Sequence, residues 1–249
     1  MEAVMKIGIF GAGKLSGAIS EEVRLTKSVS GSKPEIVWVV DQGDSVPPVA
    51  VDVAIDASTG SAVMEHIQWA IDTRIPLVVA ATGWSIPNLP ELVSDKTGLL
   101  VAPNMSIGVA FMKRMSSIMA LLADLDSSGE LSIFEHHHSQ KKDAPSGTAI
   151  SLANACVQAS SRYKGWTAGP AEPSSISVVS LRSGAEPGYH QILFDSPLET
   201  LTLSHRARDR RVFAKGALLA CSWILGKKGV FSMDDIVESL IREGGVSNA

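Results

Sequence analysis

The residues from Glu135 to Ala149, EHHHSQKKDAPSGTA, combine groups that transfer protons with groups that bind anions. Three successive histidines, 136–138, are followed within four residues by Lys141 and Lys142. Imidazole and ammonium groups act as general acids and bases near neutral pH. Because the same groups attract negative charge, the pattern indicates an anion pocket with proton donors built into it.

A strand and a helix must position this cluster. The apolar run at 131–134 predicts a short strand, and SGTAISLANAC predicts the first turns of an amphipathic helix. The N–H groups at the start of such a helix have no intrahelical acceptor and carry partial positive charge. We therefore expect Ser146, Gly147 and Thr148 to bind a carboxylate or phosphate of the substrate, with Gly147 allowing a close approach.

Two other interpretations stay open. The histidines could bind a metal, but side chains alternate along a strand, so His136 and His138 should diverge from His137. Because neither a nearby cysteine nor a second histidine at helical spacing supports zinc, we expect no metal. The stretch could also be a solvated basic turn, capped by Asp143 or Ser146 and without chemistry.

Composition limits the class of protein. The chain has 249 residues, enough for one large domain or two modest ones, with 45% hydrophobic and 19% charged residues. A net charge of -4 argues against a general binder of nucleic acid or of anionic membranes, so we expect small-molecule partners.

Cysteine content and apolar runs indicate the compartment. Cys156 and Cys221 lie in apolar helical patterns, and the N-terminus has no secretory apolar region. The apolar runs are shorter than the roughly 20 residues that a membrane span needs. We expect reduced thiols, no membrane partner and a cytoplasmic enzyme, or a stromal one if a plastid transit peptide has been removed.

The N-terminal VMKIGIFGAGKLSG predicts a strand, a glycine-rich turn and a helix, the opening of a dinucleotide-binding βαβ unit. Gly11 and Gly13 would permit the turn and the approach of a pyrophosphate, and Gly17 would permit close packing of helix on strand. The strict GxGxxG spacing places a glycine where this chain has Ser16. A merely structural turn therefore remains an alternative.

Asp41 follows the predicted strand EIVWVV, at the position where a carboxylate binds the adenosine ribose. The next residue, Gln42, offers no guanidinium to a 2′-phosphate, and the carboxylate would repel one. The sequence therefore predicts that NADH is preferred over NADPH, with Lys14 as the nearby cation that weakens the preference. Asp41 as an ordinary loop residue is the alternative.

Short apolar strands continue to alternate with amphipathic helices as far as residue 106, a pattern typical of a mostly parallel sheet with helices on both faces. Ligands bind beyond the C-terminal ends of such strands, which nominates Ser58, 80–82 and 102–105 for the cofactor. His66 lies on one of the helical patterns and is interpreted as a surface or structural residue.

The second half of the chain has a different pattern. A long helix follows Ser106, and three alternating apolar segments beyond Gly169 indicate an antiparallel sheet. We predict an α/β chain. Its Rossmann-like, mostly parallel dinucleotide-binding domain comprises 1–106 and 217–249, and an α+β substrate-binding and oligomerisation domain at 107–216 has a largely antiparallel sheet.

The central stretch is similar to ExHHxxKxDAPSGTA, the signature of the dihydrodipicolinate reductase family, now called 4-hydroxy-tetrahydrodipicolinate reductase, of the diaminopimelate and lysine pathway. The similarity extends to the glycine turn, VAIDAS, ATG, APNMSIGV, RSGAEPGYH and SHRARDRRVFAKGA. The resemblance implies that His137 donates or accepts a proton and Lys141 is the general acid. It also implies that His138 binds substrate, and that Gly147 and Thr148 hold a substrate carboxylate.

The resemblance further implies a homotetramer built through the second domain's sheets, and a set of cofactor-binding residues. This chain departs from the family pattern at the glycine turn, which is usually GxGGRMG, at the nicotinamide loop, where Gly and Thr are usual, and at Ala57, where an aromatic is common. These departures concern cofactor affinity and nucleotide preference. The implied cofactor residues are Gly11, Ala12, Gly13, Lys14, Leu15, Ser16, Asp41, Ala80, Ala81, Thr82, Ala102, Pro103, Asn104 and Met105.

The resulting hypothesis is an NAD(P)H-dependent reductase. Hydride would reach a conjugated carbon of a cyclic dicarboxylate, and Lys141 or His137 would supply the proton. Two alternatives remain: another NAD(P)-dependent oxidoreductase of a carboxylated substrate, and a dinucleotide-sensing protein without turnover.

Overall fold

The structure, a computed structural model, describes residues 3–45 and 50–246. It divides into two compact units: unit 1 comprises Met1–Ile107 and Arg210–Ala249, and unit 2 comprises Gly108–Asp209. The sequence prediction placed the second junction after residue 216. The structure places it earlier, because a helix beginning at Arg211 belongs to unit 1 along its whole length.

The described residues form strands and helices that alternate through both units. In chain order the strands are β1 (Ala3–Phe10), β2 (Ser32–Val40), β3 (Val53–Asp56), β4 (Leu77–Val79), β5 (Gly98–Val101), β6 (Glu130–His137), β7 (Gly165–Ala168), β8 (Ser175–Arg182), β9 (Tyr189–Asp195), β10 (Thr200–Arg206) and β11 (Gly229–Phe231). The helices are α1 (Lys14–Leu25), α2 (Val63–Thr73), α3 (Leu89–Val93), α4 (Ile107–Leu125), α5 (Gly147–Ala159), α6 (Arg211–Ile224) and α7 (Met233–Val246). No helix among these is both long enough and apolar enough to cross a membrane.

Unit 1 is built on a parallel sheet with the strand order β2-β1-β3-β4-β5-β11. Every residue of β3 and β4 is buried, as expected when helices cover both faces of a parallel sheet. The order reverses direction between β1 and β3, which creates the crevice where such sheets bind ligands. The predicted Rossmann-like domain is confirmed.

The sequence analysis did not predict β11. The strand has three residues, Gly229–Phe231, and pairs in parallel with β5 at the edge of the sheet. Three residues are too few to show an alternating pattern, so the pairing is visible only in the tertiary structure.

Unit 2 contains a mixed sheet with the strand order β10-β9-β6-β8-β7. The sequence indicated a largely antiparallel sheet, but only the β10–β9 and β9–β6 pairs are antiparallel, whereas β6–β8 and β8–β7 are parallel. The reason is that α5 forms a crossover after β6, and such a crossover returns the chain parallel to the strand it left.

β6 carries the pattern that positions the site. Leu131 and Ile133 are buried in a core that α5 covers through Leu152 and Cys156. The same alternation continues to the end of the strand, so Glu135 and His137 also lie on the covered face. The strand is longer than predicted and places two chemically active side chains on one face.

A close backbone contact within unit 1 gives a test of the packing. Gly216 lies in α6, and a Cβ added there would be 1.6 Å from the carbonyl oxygen of Met105. We expect Gly216→Ala to lower the free energy of unfolding by about 3 kcal/mol or more, because backbone would have to move.

Gly17→Ala is the matched control, since a Cβ at Gly17 in α1 meets no atom within 4 Å. It should raise the free energy of unfolding by about 0.5–1 kcal/mol, because alanine loses less backbone entropy in a helix. Denaturant unfolding of both variants measures these changes. Equal stabilities would contradict the contact.

Candidate active site

The centre of the candidate site is Glu135, whose side chain is fully buried on β6. Its Oε1 accepts hydrogen bonds from Ser146 N at 2.9 Å, Ser180 Oγ at 2.7 Å and Arg182 Nη2 at 2.7 Å. Burial alone would raise the pKa of Glu135, but hydrogen bonds from Ser146, Arg182 and Ser180 lower it to about 2. The buried carboxylate is therefore ionised.

Two imidazoles face the other oxygen of this carboxylate. Glu135 Oε2 lies 3.3 Å from His137 Nδ1 and 3.6 Å from His190 Nε2. Burial lowers the pKa of His137, and burial together with the neighbouring His137 lowers the pKa of His190 to about 4. Both rings are therefore neutral at pH 7 in the absence of an anionic ligand.

Lys141 lies in the loop that follows β6. Its Nζ donates to both carboxylate oxygens of Asp143, at 2.7 and 2.9 Å, and this contact lowers the pKa of Asp143. Lys141 N also donates to the carbonyl of His138 at 3.1 Å, and Arg182 donates to the carbonyl of Asp143. These bonds hold Lys141, the predicted general acid, close enough to His137 for its charge to lower the pKa of that histidine.

The N-terminus of α5, where the sequence predicts anion binding, lies beside Glu135. Ser146 is the N-cap, and its Oγ accepts from Ala149 N at 3.2 Å, so Ser146 rather than Asp143 caps the helix. A Cβ added at Gly147 would meet no atom within 4 Å, which leaves room for a ligand beside the backbone. Gly147 and Thr148 are the first helical residues, as the sequence predicted.

The three successive histidines separate as expected. His136 Nε2 lies 3.0 Å from the carbonyl oxygen and from Oγ of Ser183, on the face opposite His137. His138 follows the strand, and its backbone N–H donates to the carbonyl of Glu186 at 2.8 Å.

Adjacent histidines therefore do not form a metal site, but Glu135, His137 and His190 bring three possible ligand atoms within 4.8 Å of one another. Arg182 and Lys141 add positive charge beside this group, which opposes binding of a metal dication.

Sequence reasoning gave no role to Glu135, Arg182 or His190. The period of two along β6 could have placed Glu135 beside His137, because residues two apart share a face. The other two residues belong to RSGAEPGYH, which was used only for the family resemblance. Their convergence on Glu135 depends on the pairing of β6 with β8 and β9.

In unit 1, Gly11 lies at the turn after β1. Its φ is +91°, and a Cβ would be 2.8 Å from the carbonyl oxygen of Ala57 and from Cα of Ser58. Both observations require glycine at the reversal point of the sheet. The packing role predicted for Gly17 is wrong, since α1 has open space there; it is Gly8 on β1 that packs closely, against the ring of Trp38.

A buried carboxylate also orders the loop after β3. Asp56 Oδ1 accepts from Ser58 N at 3.0 Å and from Ser58 Oγ at 2.5 Å, while its Oδ2 lies 2.9 Å from His66 Nδ1. The His66 ring stacks on Phe10 with centroids 4.0 Å apart. His66 is thus a structural residue that holds the loop beside Gly11.

The remaining predicted cofactor residues follow other strands of the same sheet. Asp41 is exposed directly after β2, and the adjacent Val40 carbonyl accepts from Gly11 N at 2.7 Å. The 80–82 loop is tied to β3, and the 102–105 loop to β4, by backbone hydrogen bonds. Asp41 and both loops therefore lie at the C-terminal ends of the parallel strands. Buried or partly buried side chains occur at Leu15, Ser16, Ala80, Ala81, Ala102, Asn104 and Met105, and exposed ones at Ala12, Lys14, Thr82 and Pro103.

Both halves of this chain are similar to known proteins. Residues 5–105 match the family model described as Dihydrodipicolinate reductase, N-terminus, and residues 108–237 match Dihydrodipicolinate reductase, C-terminus. The chain belongs to the dihydrodipicolinate reductase family. The gap between the two matches includes the first boundary between the units, after residue 107, whereas the second match continues past the other boundary into the last part of unit 1.

Individual members of the dihydrodipicolinate reductase family match along nearly their whole length. The 4-hydroxy-tetrahydrodipicolinate reductase of Helicobacter hepaticus is 36% identical over 258 residues, which cover 94% of this chain and 100% of that protein. The enzyme of the same name from Zymomonas mobilis is 32% identical, covering 95% and 98%. A dipicolinate-bound dihydrodipicolinate reductase from Paenisporosarcina sp. TG-14 has the same fold, with a TM-score of 0.76, 24% identity and coverage of 92% and 97%.

The lowered pKa of His190 predicts how the stability of this reductase depends on pH. The group titrates at about 4 in the folded chain and at 6.5 ordinarily, so below pH 6.5 the unfolded chain binds more protons. The contribution of His190 to stability should be lost from pH 6.5 to 4 and change little below pH 4. The lowered pKa of Glu135 stabilises the folded chain above pH 4.5, and this contribution is lost as the pH falls from 4.5 toward 2. Between pH 6.5 and 4.5 the change in stability therefore reports the histidines rather than Glu135.

We expect His190→Gln to reduce the loss of unfolding free energy between pH 6.5 and 4.5 by roughly 2–3 kcal/mol. His136→Gln, on the opposite face of β6, should leave the loss unchanged. Denaturant unfolding at the two pH values measures both. The same pH dependence in the parent and in His190→Gln would refute the assignment.

Proposed function

We propose that this chain reduces 4-hydroxy-tetrahydrodipicolinate to tetrahydrodipicolinate with a reduced nicotinamide dinucleotide, in lysine and diaminopimelate biosynthesis, in the cytoplasm. The observation that carries the proposal is that Glu135 lies beside both His137 and the N-terminus of α5, and that Lys141 lies within electrostatic range of His137. The chain also matches both the N-terminal and the C-terminal models of the family.

The proposed substrate is a small cyclic dicarboxylate. A related structure is described as dipicolinate-bound, and dipicolinate is a dicarboxylate. In this chain Gly147 and Thr148, capped by Ser146, would hold one carboxylate at the helix end, and His138 would bind the substrate beside it. Lys141 and Arg182 supply the positive charge that favours entry of a dianion.

The reaction takes up a hydride and a proton and releases the 4-hydroxyl group as water. Loss of water from 4-hydroxy-tetrahydrodipicolinate gives a conjugated double bond, and the hydride and the proton add across that conjugated system. A reduced nicotinamide supplies the hydride when bound, and the protein supplies the proton. His137 is neutral in the free protein because it is buried. A dianion beside it would raise its pKa and favour the imidazolium, so substrate binding itself would load the proton donor. Lys141, already protonated in its ion pair with Asp143, is the second proton source.

The nucleotide would lie along the C-terminal edge of the unit 1 sheet. Gly11 and its turn would receive the pyrophosphate, and Asp41, exposed after β2, would bind the ribose hydroxyls. A carboxylate at that position, followed by Gln42, supports NADH as the preferred cofactor, and Lys14 supports residual use of NADPH.

We also infer a homotetramer that forms through the unit 2 sheet. The support is the outer face of this sheet, where Val179 and Leu181 are 46% and 41% exposed. Phe134 pairs with Val179 across the β6–β8 ladder and adds apolar surface to the same face. Exposed apolar patches of this kind are typical of subunit contacts.

Replacing either proton donor should remove most of the activity. We expect His137→Ala and Lys141→Ala each to lower kcat by roughly 10²-fold or more, as expected for the loss of general acid catalysis. The matched control is Lys142→Ala, an exposed neighbour that should retain near-normal kcat. Loss of NADH absorbance with the product of aspartate semialdehyde and pyruvate condensation measures the rates.

Near-normal turnover in both variants would refute the mechanism. Absence of turnover in the unmodified chain despite nucleotide binding would favour the dinucleotide-sensing alternative, and turnover with a different carboxylated substrate would favour another oxidoreductase.

Nucleotide preference gives a separate test. The unmodified enzyme should have a lower KM for NADH than for NADPH, and Asp41→Ala should raise the KM for NADH far more than that for the substrate. Asp72→Ala, an exposed aspartate of α2 bonded to Gln68, is the control and should change neither value. A large preference of the unmodified enzyme for NADPH would overturn the role of Asp41.

A further inference from the structure

The two oxygens of Glu135 have different surroundings. Oε1 accepts hydrogen bonds from a backbone N–H, a hydroxyl and a guanidinium. Oε2 is buried and accepts none of the hydrogen bonds seen among residues 3–45 and 50–246, yet it faces the imidazole nitrogens of His137 and His190. A buried carboxylate oxygen that faces Nδ1 of an imidazole selects the tautomer with hydrogen on that nitrogen.

We propose that Glu135 is the positioning residue of His137, which it holds with the proton on Nδ1 and the lone pair on Nε2, and that it links this imidazole to the helix end that receives the substrate carboxylate. The proposal rests on the function proposed above, in which His137 exchanges a proton with the substrate.

The surroundings of His137 Nε2 support this orientation. A Cβ added at Gly188 would lie 3.3 Å from His137 Nε2 and 3.5 Å from its Cδ2. The residue beside the reactive nitrogen is therefore a glycine, whose missing side chain leaves space next to the ring. With Nδ1 directed at Glu135, Nε2 is the atom that can accept a proton from solvent and deliver it to a substrate.

The link to the helix end runs through Ser146. Its backbone N–H donates to Glu135 Oε1 at 2.9 Å, and its Oγ caps α5 and lies 3.2 Å from His190 Nε2. Glu135 therefore contacts both the cap of the anion-binding helix and the proton-transferring ring. The spacing between the bound carboxylate and His137 is set by one buried side chain rather than by the loop at 138–145.

The charges around His137 determine what removal of Glu135 would do. On β6 and its following loop, Glu135 and Asp143 favour the imidazolium and Lys141 opposes it. From β8, Arg182 also opposes it; from β9, neutral His190 packs against the ring; and His205 on β10 pairs with His190 across the β9–β10 ladder and lowers the pKa of His190. Without the Glu135 charge, the acidic group left is Asp143, which is already paired with Lys141.

Glu135→Gln is the informative substitution, since glutamine keeps an oxygen acceptor for Ser146, Ser180 and Arg182 but removes the charge. We expect kcat to fall roughly 10²-fold, with the KM for NADH unchanged. The limb of the kcat–pH profile that is abolished in His137→Gln should move to lower pH by about one unit or more. Glu130→Gln, an exposed glutamate of the same strand, is the matched control and should move neither.

The tautomer itself is measurable without turnover. The nitrogen chemical shifts of His137 in the substrate-free, unmodified protein should report hydrogen on Nδ1, and those of Glu135→Gln should report a mixture. Hydrogen on Nε2 in the unmodified protein would overturn the proposal, and this result does not depend on whether the variant folds.

An unchanged pH limb and an unchanged tautomer in Glu135→Gln would also overturn it, since a purely structural role predicts that result. If the unmodified chain lacks reductase turnover, the proposed function fails on its own. The tautomer measurement still decides whether Glu135 orients His137.

Discussion

The need to stabilise one buried charge organises the candidate site. An ionised carboxylate away from water is costly unless hydrogen bonds and opposite charge surround it. Glu135 meets this condition with donors from the cap of α5 and from two residues of β8, Ser180 and Arg182. The helix, the parallel strand pair and the imidazoles are thus fixed relative to one another by the same group. Loss of Glu135 would leave the partly buried Arg182 without this counterion.

Unit 1 uses the same chemistry for a different purpose. Asp56 is also fully buried at the end of a strand and also pairs with an imidazole, that of His66. Here the other oxygen is occupied by the loop that follows, so the pair orders the backbone beside Gly11. At Glu135 the second oxygen instead faces a ring whose far nitrogen lies beside Gly188, where a side chain would crowd it. Similar buried pairs therefore order a loop beside Gly11 in one unit and, under the proposed mechanism, orient a proton-transferring ring in the other.

The features that the sequence predicted correctly are those encoded by residues close together in the chain. The strand, glycine turn and helix at the N-terminus and the capped start of α5 are local patterns, and both were found. Glu135, Arg182 and His190 escaped notice because Arg182 and His190 meet Glu135 across 47 or more positions of sequence, through strand pairings that no local pattern specifies. The glycines show the same limit: close packing was predicted at Gly17, where an added Cβ would meet no atom within 4 Å, while the close contact of Gly216 depends on a loop far away in the chain.

The tryptophans are distributed unevenly between the units. Trp38 and Trp69 pack edge-on around Phe10 at centroid distances of 5.1 Å, and Trp84 donates to the carbonyl of Ala81 in a predicted cofactor loop. Trp223 also belongs to unit 1, which leaves Trp166 as the indole of unit 2. Because reduced nicotinamide absorbs light that indoles emit, intrinsic fluorescence is an unlabelled reporter of nucleotide occupancy, and it is far less sensitive to a dicarboxylate bound in unit 2.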